Sequence, residues 1–314
     1  MWPYILKRLI SAIPVLFLVT LITLGLIYLV PGDPALVMAG PDASPEQIAA
    51  VRTALDLDRP VHQQILRWYQ NLLQGDLGES YMLGRSVAQA IAERIPITAW
   101  LILYSMLLTV PIGILAGLAA AYWHNRWVDT TVMGIALIGV SVPSFWLSIM
   151  AILVFSVHLG WLPSGGYVAP EENFREFLRS LTLPAFALAV FQVGLLARMT
   201  RAGALDILRQ DFVRTARAKG LSETMTVGRH VLSNVWVPIL TVVAITINVA
   251  LAGAVVIEQV FNLPGLGRLV VQAVLRRDYP VIQGSLLVVA AIMVMVNLLT
   301  DLLYAYLDPR IRYD

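Results

Sequence analysis

The side chains able to do chemistry are scattered through this chain. His62, His124, His158 and His230 fall on four different segments, without the paired spacing of His-Glu-x-x-His that presents two ligands to one metal. There is no cysteine, which excludes disulfides and thiolate-held metals. Serines are plentiful, but no Gly-x-Ser-x-Gly elbow exposes one of them. No Gly-x-x-x-x-Gly-Lys-Ser/Thr cradle occurs for a nucleotide phosphate. The one tight glycine cluster beside a base is Pro264-Gly265-Leu266-Gly267-Arg268. The chain is therefore read as a non-enzyme with no catalytic residue, no metal site and no cofactor of its own.

The best organised polar stretch is Asp211-Phe212-Val213-Arg214-Thr215-Ala216-Arg217-Ala218-Lys219-Gly220. Asp211 is the residue type that caps a helix, its carboxylate accepting from first-turn amides. Gly220 suits the left-handed residue beyond a helix end. Arg217 and Lys219 would complement the dipole in the last turn. The implied helix, 212–219, is only about 12 Å long at 1.5 Å per residue. A helix that short is marginal alone in water and needs something to dock against. Phe212, Val213 and Ala216 give it a small apolar surface for a partner.

The elements that must position this stretch are membrane spans. Hydrophobic residues make up 58% of the chain and charged residues 13%, about half the ~25% usual in soluble domains. The net charge of +2 is too small to point to nucleic acid. Six uncharged runs, 9–30, 97–123, 130–157, 180–197, 231–257 and 279–300, approach or exceed the ~18–20 residues that cross hydrocarbon as a helix. The first run is too long for a signal-peptide core and ends in Pro-Gly-Asp-Pro, so it reads as an uncleaved anchor. Pro111, Pro143 and Pro184 lie inside runs, where neighbouring helices can satisfy the freed carbonyls. Placing the N-terminus inside puts 12 Lys and Arg on the cytoplasmic side, namely Lys7, Arg8, Arg126, seven from Arg198 to Arg229, Arg310 and Arg312. That bias, not net charge, sets orientation, so both termini are expected in the cytoplasm.

The loop 31–96 reads as a structured annex. Ser44-Pro45-Glu46 opens a helix toward Leu55, and Ile65, Trp68, Tyr69 and Leu72 recur at helical spacing over 61–73. The annex is expected to pack as a lid and to offer part of a docking face for a solute-delivering protein. Trp123, Trp127, Trp161 and Trp236 border predicted spans as an interfacial belt against membrane lipid. Gly113 and Gly117 form a small-xxx-small pair that permits close helix contact. No span contains an internal Asp, Glu, Lys or Arg, which counts against an ion-coupled secondary transporter. Gln192 and Asn248 are expected to bond between helices, with pore lining as the alternative. Glu258, Asp301 and Asp308 are expected at the membrane interface, and Ser222-Glu223 at the start of a further helix.

Arg214-Thr215-Ala216-Arg217-Ala218-Lys219-Gly220 resembles the cytoplasmic signature of ABC importer membrane subunits, specifically the first permease of the dipeptide, oligopeptide, glutathione and nickel group. The resemblance runs along nearly the whole chain. It takes in Pro31-Gly32-Asp33-Pro34, Gly75-Asp76-Leu77-Gly78, Pro264-Gly265-Leu266-Gly267-Arg268, Arg277-Asp278-Tyr279-Pro280 and Asp308-Pro309-Arg310-Ile311-Arg312-Tyr313. The wider importer pattern has Glu-Ala-Ala six residues before its glycine and a proline thirteen after. Here Arg214-Thr215-Ala216 and Ser233 stand there, and the proline comes at Pro238. Met38-Ala39-Gly40-Pro41 and the Gly75 motif lean toward dipeptide or glutathione systems over nickel.

The resemblance implies an all-α integral membrane protein of six transmembrane helices with the type I importer permease fold. It divides into a first helix and extracytoplasmic loop (1–96), a transmembrane core (97–307) and a cytoplasmic tail (308–314). It also implies that 211–220 is a coupling helix seated in a groove of an ATPase subunit. The implied partners are a homologous second permease, two cytoplasmic ATPases that hold ATP and Mg, an extracytoplasmic binding protein and a peptide substrate. The implied location is the bacterial cytoplasmic membrane.

Overall fold

A computed structural model describes residues 2–29, 33–40, 42–54, 56–80, 82–222, 225 and 232–307. Pro31, Gly32, Pro41, Glu223, His230 and the tail from Asp308 to Tyr313 lie outside the described residues. The chain forms two compact units, one of Met1–Ile97 with Pro264–Met295 and one of Thr98–Leu263 with Val296–Asp314.

In the first unit, α1 (Trp2–Leu29) carries exposed Leu9, Ile10, Ile13, Phe17, Leu18 and Ile22 over most of its surface, as a helix solvated by lipid must. Asp33 caps α2 (Pro34–Ala39) by accepting from the Ala35 amide at 3.0 Å and is ion-paired to Arg52 of α3 (Pro45–Ala54). Ser44 and Gln47 exchange bonds, Gln47 N to Ser44 Oγ at 3.2 Å and Ser44 N to Gln47 Oε1 at 2.8 Å. That reciprocal pair is a capping box, which is why α3 begins here. On α4 (Val61–Leu73), Tyr69 stacks on Phe17 of α1 with ring centroids 5.6 Å apart.

A two-residue ladder, β1 (Glu79–Ser80) with β2 (Arg85–Ser86), precedes α5 (Val87–Ala92) and is the one strand pairing among the described residues. Val87, Ile91, Leu266, Leu269, Tyr279 and Val281 form this unit's core. They join α5 to α12 (Leu266–Arg276) and the start of α13 (Tyr279–Leu307). Two segments distant in sequence meet here: the Ser80 hydroxyl donates to the buried Asp278 carboxylate, and the Leu83 amide donates to Ser80 Oγ at 2.9 Å.

The second unit is built around α9 (Phe174–Leu208), whose Leu181, Ala185, Ala187, Leu188, Ala189, Leu196 and Ala197 are all buried. Asn173 starts it by accepting from the Arg175 and Glu176 amides at 3.1 and 3.2 Å. Its 35 residues span roughly 52 Å, well beyond the run 180–197, because the polar continuation stays helical to Leu208. It packs against α7 (Trp127–Ser141), α8 (Ser144–Ala151) and α11 (Leu232–Val260).

The third predicted span departs from expectation. The run 130–157 is not one straight helix: α7 and the segment from Ser144 to His158 meet at 98°, and 152–158 is π-helical. Val142 and Pro143 are extended, at ψ 125 and 131. Proline removes an amide and pushes the preceding residue out of the helical region, and at Pro143 the helix breaks. Pro111 and Pro184 do remain inside α6 (Ile95–Tyr122) and α9. Among the described residues, five helices are long and apolar enough to cross a membrane, or six with the bent pair taken as one span.

The glycine pair on α6 marks a close helix contact. A Cβ at Gly117 would sit 2.5 Å from the Ala197 carbonyl oxygen and 2.6 Å from Thr200 Cβ, and one at Gly113 would sit 2.9 Å from Leu196. Gly117→Ala is expected to force α6 and α9 apart at a cost of about 1–3 kcal/mol. It should read out as a lowered melting temperature of the purified protein in detergent, and an unchanged melting curve would refute the tight contact.

Candidate coupling site

Helix α10 (Asp211–Ala218) starts one residue earlier than its sequence suggests. The Val213 and Arg214 amides are taken by the Gln210 carbonyl at 3.1 and 3.3 Å. Asp211 is thus the first helical residue and not the cap, and its carboxylate lies exposed, 3.6 Å from Arg214. An anion in the first turn still suits the helix dipole. The other end is as the sequence implies: Gly220 has φ +79, and the Leu221 amide donates back to the Ala216 carbonyl at 3.3 Å. This is the Schellman arrangement that a left-handed C′ residue permits.

The apolar surface assigned to a partner is corrected. Val213 and Ala216 are buried within the chain, and Val213 packs in a cluster with Ile207, Val235 and Ile239. A two-turn helix is too short to stand free, so it docks on the end of α9 and the start of α11. What remains exposed is Asp211, Phe212, Arg214, Thr215, Ala218, Lys219 and Gly220. The Arg217 side chain lies outside the described set.

The platform beneath α10 is tied by a cluster that sequence reading missed. Arg201 on α9 grips Asp129 of α7 bidentately, Nε to Oδ1 at 2.6 Å and Nη2 to Oδ2 at 2.7 Å. The Asn125 amide donates to the same carboxylate at 3.1 Å, and His124 Nδ1 lies 3.1 Å from both Asp129 Oδ2 and Arg201 Nη2. Asp129 is almost wholly buried. Two ionisable residues just beyond the ends of separate apolar runs were the available signal. Their pairing could not be inferred, because they are 72 positions apart in the chain.

Residues 110–313 match the model of the binding-protein-dependent transport system inner membrane component, and residues 1–102 match the model of its N-terminal part. The chain belongs to this family. A relative from Brucella abortus (strain 2308), assigned provisionally by name to a peptide transport system as its permease, is 51% identical over 99% of both chains. A glutathione transport system permease of Escherichia coli (strain K12) is 43% identical over the same shares. Among solved structures, the methionine ABC transporter MetNI in inward-facing conformations aligns with TM-score 0.56 at 18% identity, over 71% of this chain and 96% of that one. The likeness identifies the fold as that of an importer permease.

Within the permease core, Glu258 overturns an expectation. It is completely buried, not interfacial, and its Oε1 accepts from the Thr98 hydroxyl at 2.5 Å. A carboxylate can be buried when donors replace its water, and Thr98 at the start of α6 supplies one. Asn248 behaves as expected, donating from Nδ2 to Asn297 Oδ1 at 2.9 Å between α11 and α13. Gln192 does so less completely. Its Oε1 accepts a long 3.5 Å bond from Thr109, while its Nε2 has no protein partner.

Proposed function

We propose that this permease is the membrane-spanning subunit of an ATP-driven importer moving peptides (dipeptides, oligopeptides or glutathione) across the bacterial cytoplasmic membrane. The observation that carries the mechanism is the two-sided character of α10. One face is fastened to α9 and α11 through Val213, with Ala216 also buried, while Asp211, Phe212, Arg214, Thr215, Ala218 and Lys219 are left facing outward. A helix fixed on one side and exposed on the other is suited to transmit a push from a partner to the spans it is fastened to. The partner is an ATPase subunit. Two of these, a homologous second permease and an extracytoplasmic binding protein complete the assembly. ATP and Mg belong to the ATPases, and this chain holds no cofactor. The Lys and Arg bias favours α10 and both termini on the cytoplasmic side. The names of the relatives support peptides as the cargo.

The test is uptake by proteoliposomes containing the full complex and its loaded binding protein. Uptake should require ATP on the ATPase side and should persist when proton and sodium gradients are collapsed. Uptake driven by either gradient without ATP would replace this reading with secondary transport.

A further inference from the structure

The break between α7 and α8 leaves a cavity of about 280 Å³ lined by Ser141, Val142, Pro143, Ser144, Phe191 and Gln192 among others. It opens about 15 residues into the run that starts at Trp127, at membrane depth. Non-helical backbone is tolerated there only where protein buries it or a wet cavity receives it. The first turn of α8 has no side-chain cap. Among the described residues the amides of Ser144, Phe145 and Trp146 take no protein acceptor, and the first intrahelical bond starts at Leu147. The second observation is independent: Gln192, 1% exposed, lines the same cavity with its Nε2 unpartnered. Every unused group just named is a donor. No acid or base lines the cavity, so nothing there repels or neutralises an anion. A helix N-terminus carries roughly half a positive charge, and the 98° bend keeps the α7 carbonyl end off the α8 axis, where it would cancel that charge.

We propose that this cavity receives the free C-terminal carboxylate of a peptide in transit, held by the N-terminal amides of α8 and by Gln192 Nε2. The assignment rests on the peptide reading above and names the part of the cargo that the membrane path recognises. Broken helices serve anionic groups of cargo in this way in other transporters. An uncharged donor set holds an anion without the deep trap that a lysine or arginine would make, so the cargo can leave again.

The test uses the full complex in proteoliposomes, with the binding protein saturated by trialanine or by trialanine amide. Gln192→Glu puts a negative charge where the donor stood. Ser144→Pro deletes one amide at the first helical position, which favours proline, and Pro143 at φ −60 and ψ 131 already has the conformation that must precede one. Each variant should lower trialanine uptake roughly tenfold, as loss of a hydrogen bond to a charged group does. Amide uptake and binding-protein-stimulated ATP hydrolysis should stay near wild type. Equal losses for acid and amide would reduce Gln192 to a structural role, and unchanged ratios in both variants would remove the carboxylate site while leaving peptide import standing. If the wild-type complex moves neither probe, the peptide reading fails and this site falls with it. Should one variant not assemble, the other decides, because the two act through different groups.

Discussion

Gly220→Val should abolish coupled transport while leaving the subunit in the membrane and its complex assembled. Gly220 sits at φ +79, and a Cβ there would meet nothing within 4 Å. The cost is therefore torsional and not a clash, and a β-branched residue is the least tolerant of positive φ. The strain, about 1–2 kcal/mol, falls on the Leu221-to-Ala216 bond that ends α10. In an ordinary surface turn that loss would be absorbed as slightly lower stability. Here it shifts the exit of a two-turn helix whose outward face we assign to the ATPase. The spans are untouched. ATP hydrolysis by the purified complex should persist while uptake falls, and Gly220→Asn, which enters the left-handed region more readily, should recover much of it. Wild-type uptake in the valine variant would mean that Gly220 is not a critical end to a coupling element.

Asp129→Asn should be among the most destabilising single changes in the permease. It leaves Arg201, whose side chain is one-quarter exposed, facing a site built for a carboxylate. Removing one partner of a buried pair costs about 3–5 kcal/mol, and the partial exposure of Arg201 puts the expectation at the lower end. Removing both charges in Asp129→Asn with Arg201→Gln should recover part of the loss, because no uncompensated charge remains. Thermal unfolding of the four proteins of this cycle measures the coupling. Additive losses, or a melting temperature unchanged by Asp129→Asn, would show that the cluster does not hold α7 to α9. Asp211→Asn is the matched control: its carboxylate is exposed and 3.6 Å from Arg214, and pairs of that kind contribute little.

Composition and run length were sufficient to place the chain in a membrane and to find its long helices, since hydrocarbon imposes a length and forbids charge. Two helix ends were equally legible, because they are local: Ser44 starts α3 and Gly220 ends α10, each acting within a few residues of its own position. Asp211 has the residue type of a cap but is already the first residue of its helix. The candidate coupling stretch was located to within one residue for the same reason. Its apolar face was misjudged, because whether Val213 meets a partner or its own chain depends on where Val235 and Ile239 lie. Pro143 and Pro184 look alike in sequence, yet only one breaks its helix, because neighbours decide which freed carbonyls are satisfied. Glu258 sits next to an apolar run like an interfacial acid, yet it is buried, with Thr98 brought to it from 160 positions away. Local hydrogen bonds and hydrophobic length are written in consecutive residues. Burial and pairing of charge are properties of surfaces that the chain brings together by folding, and the tertiary structure alone decided those.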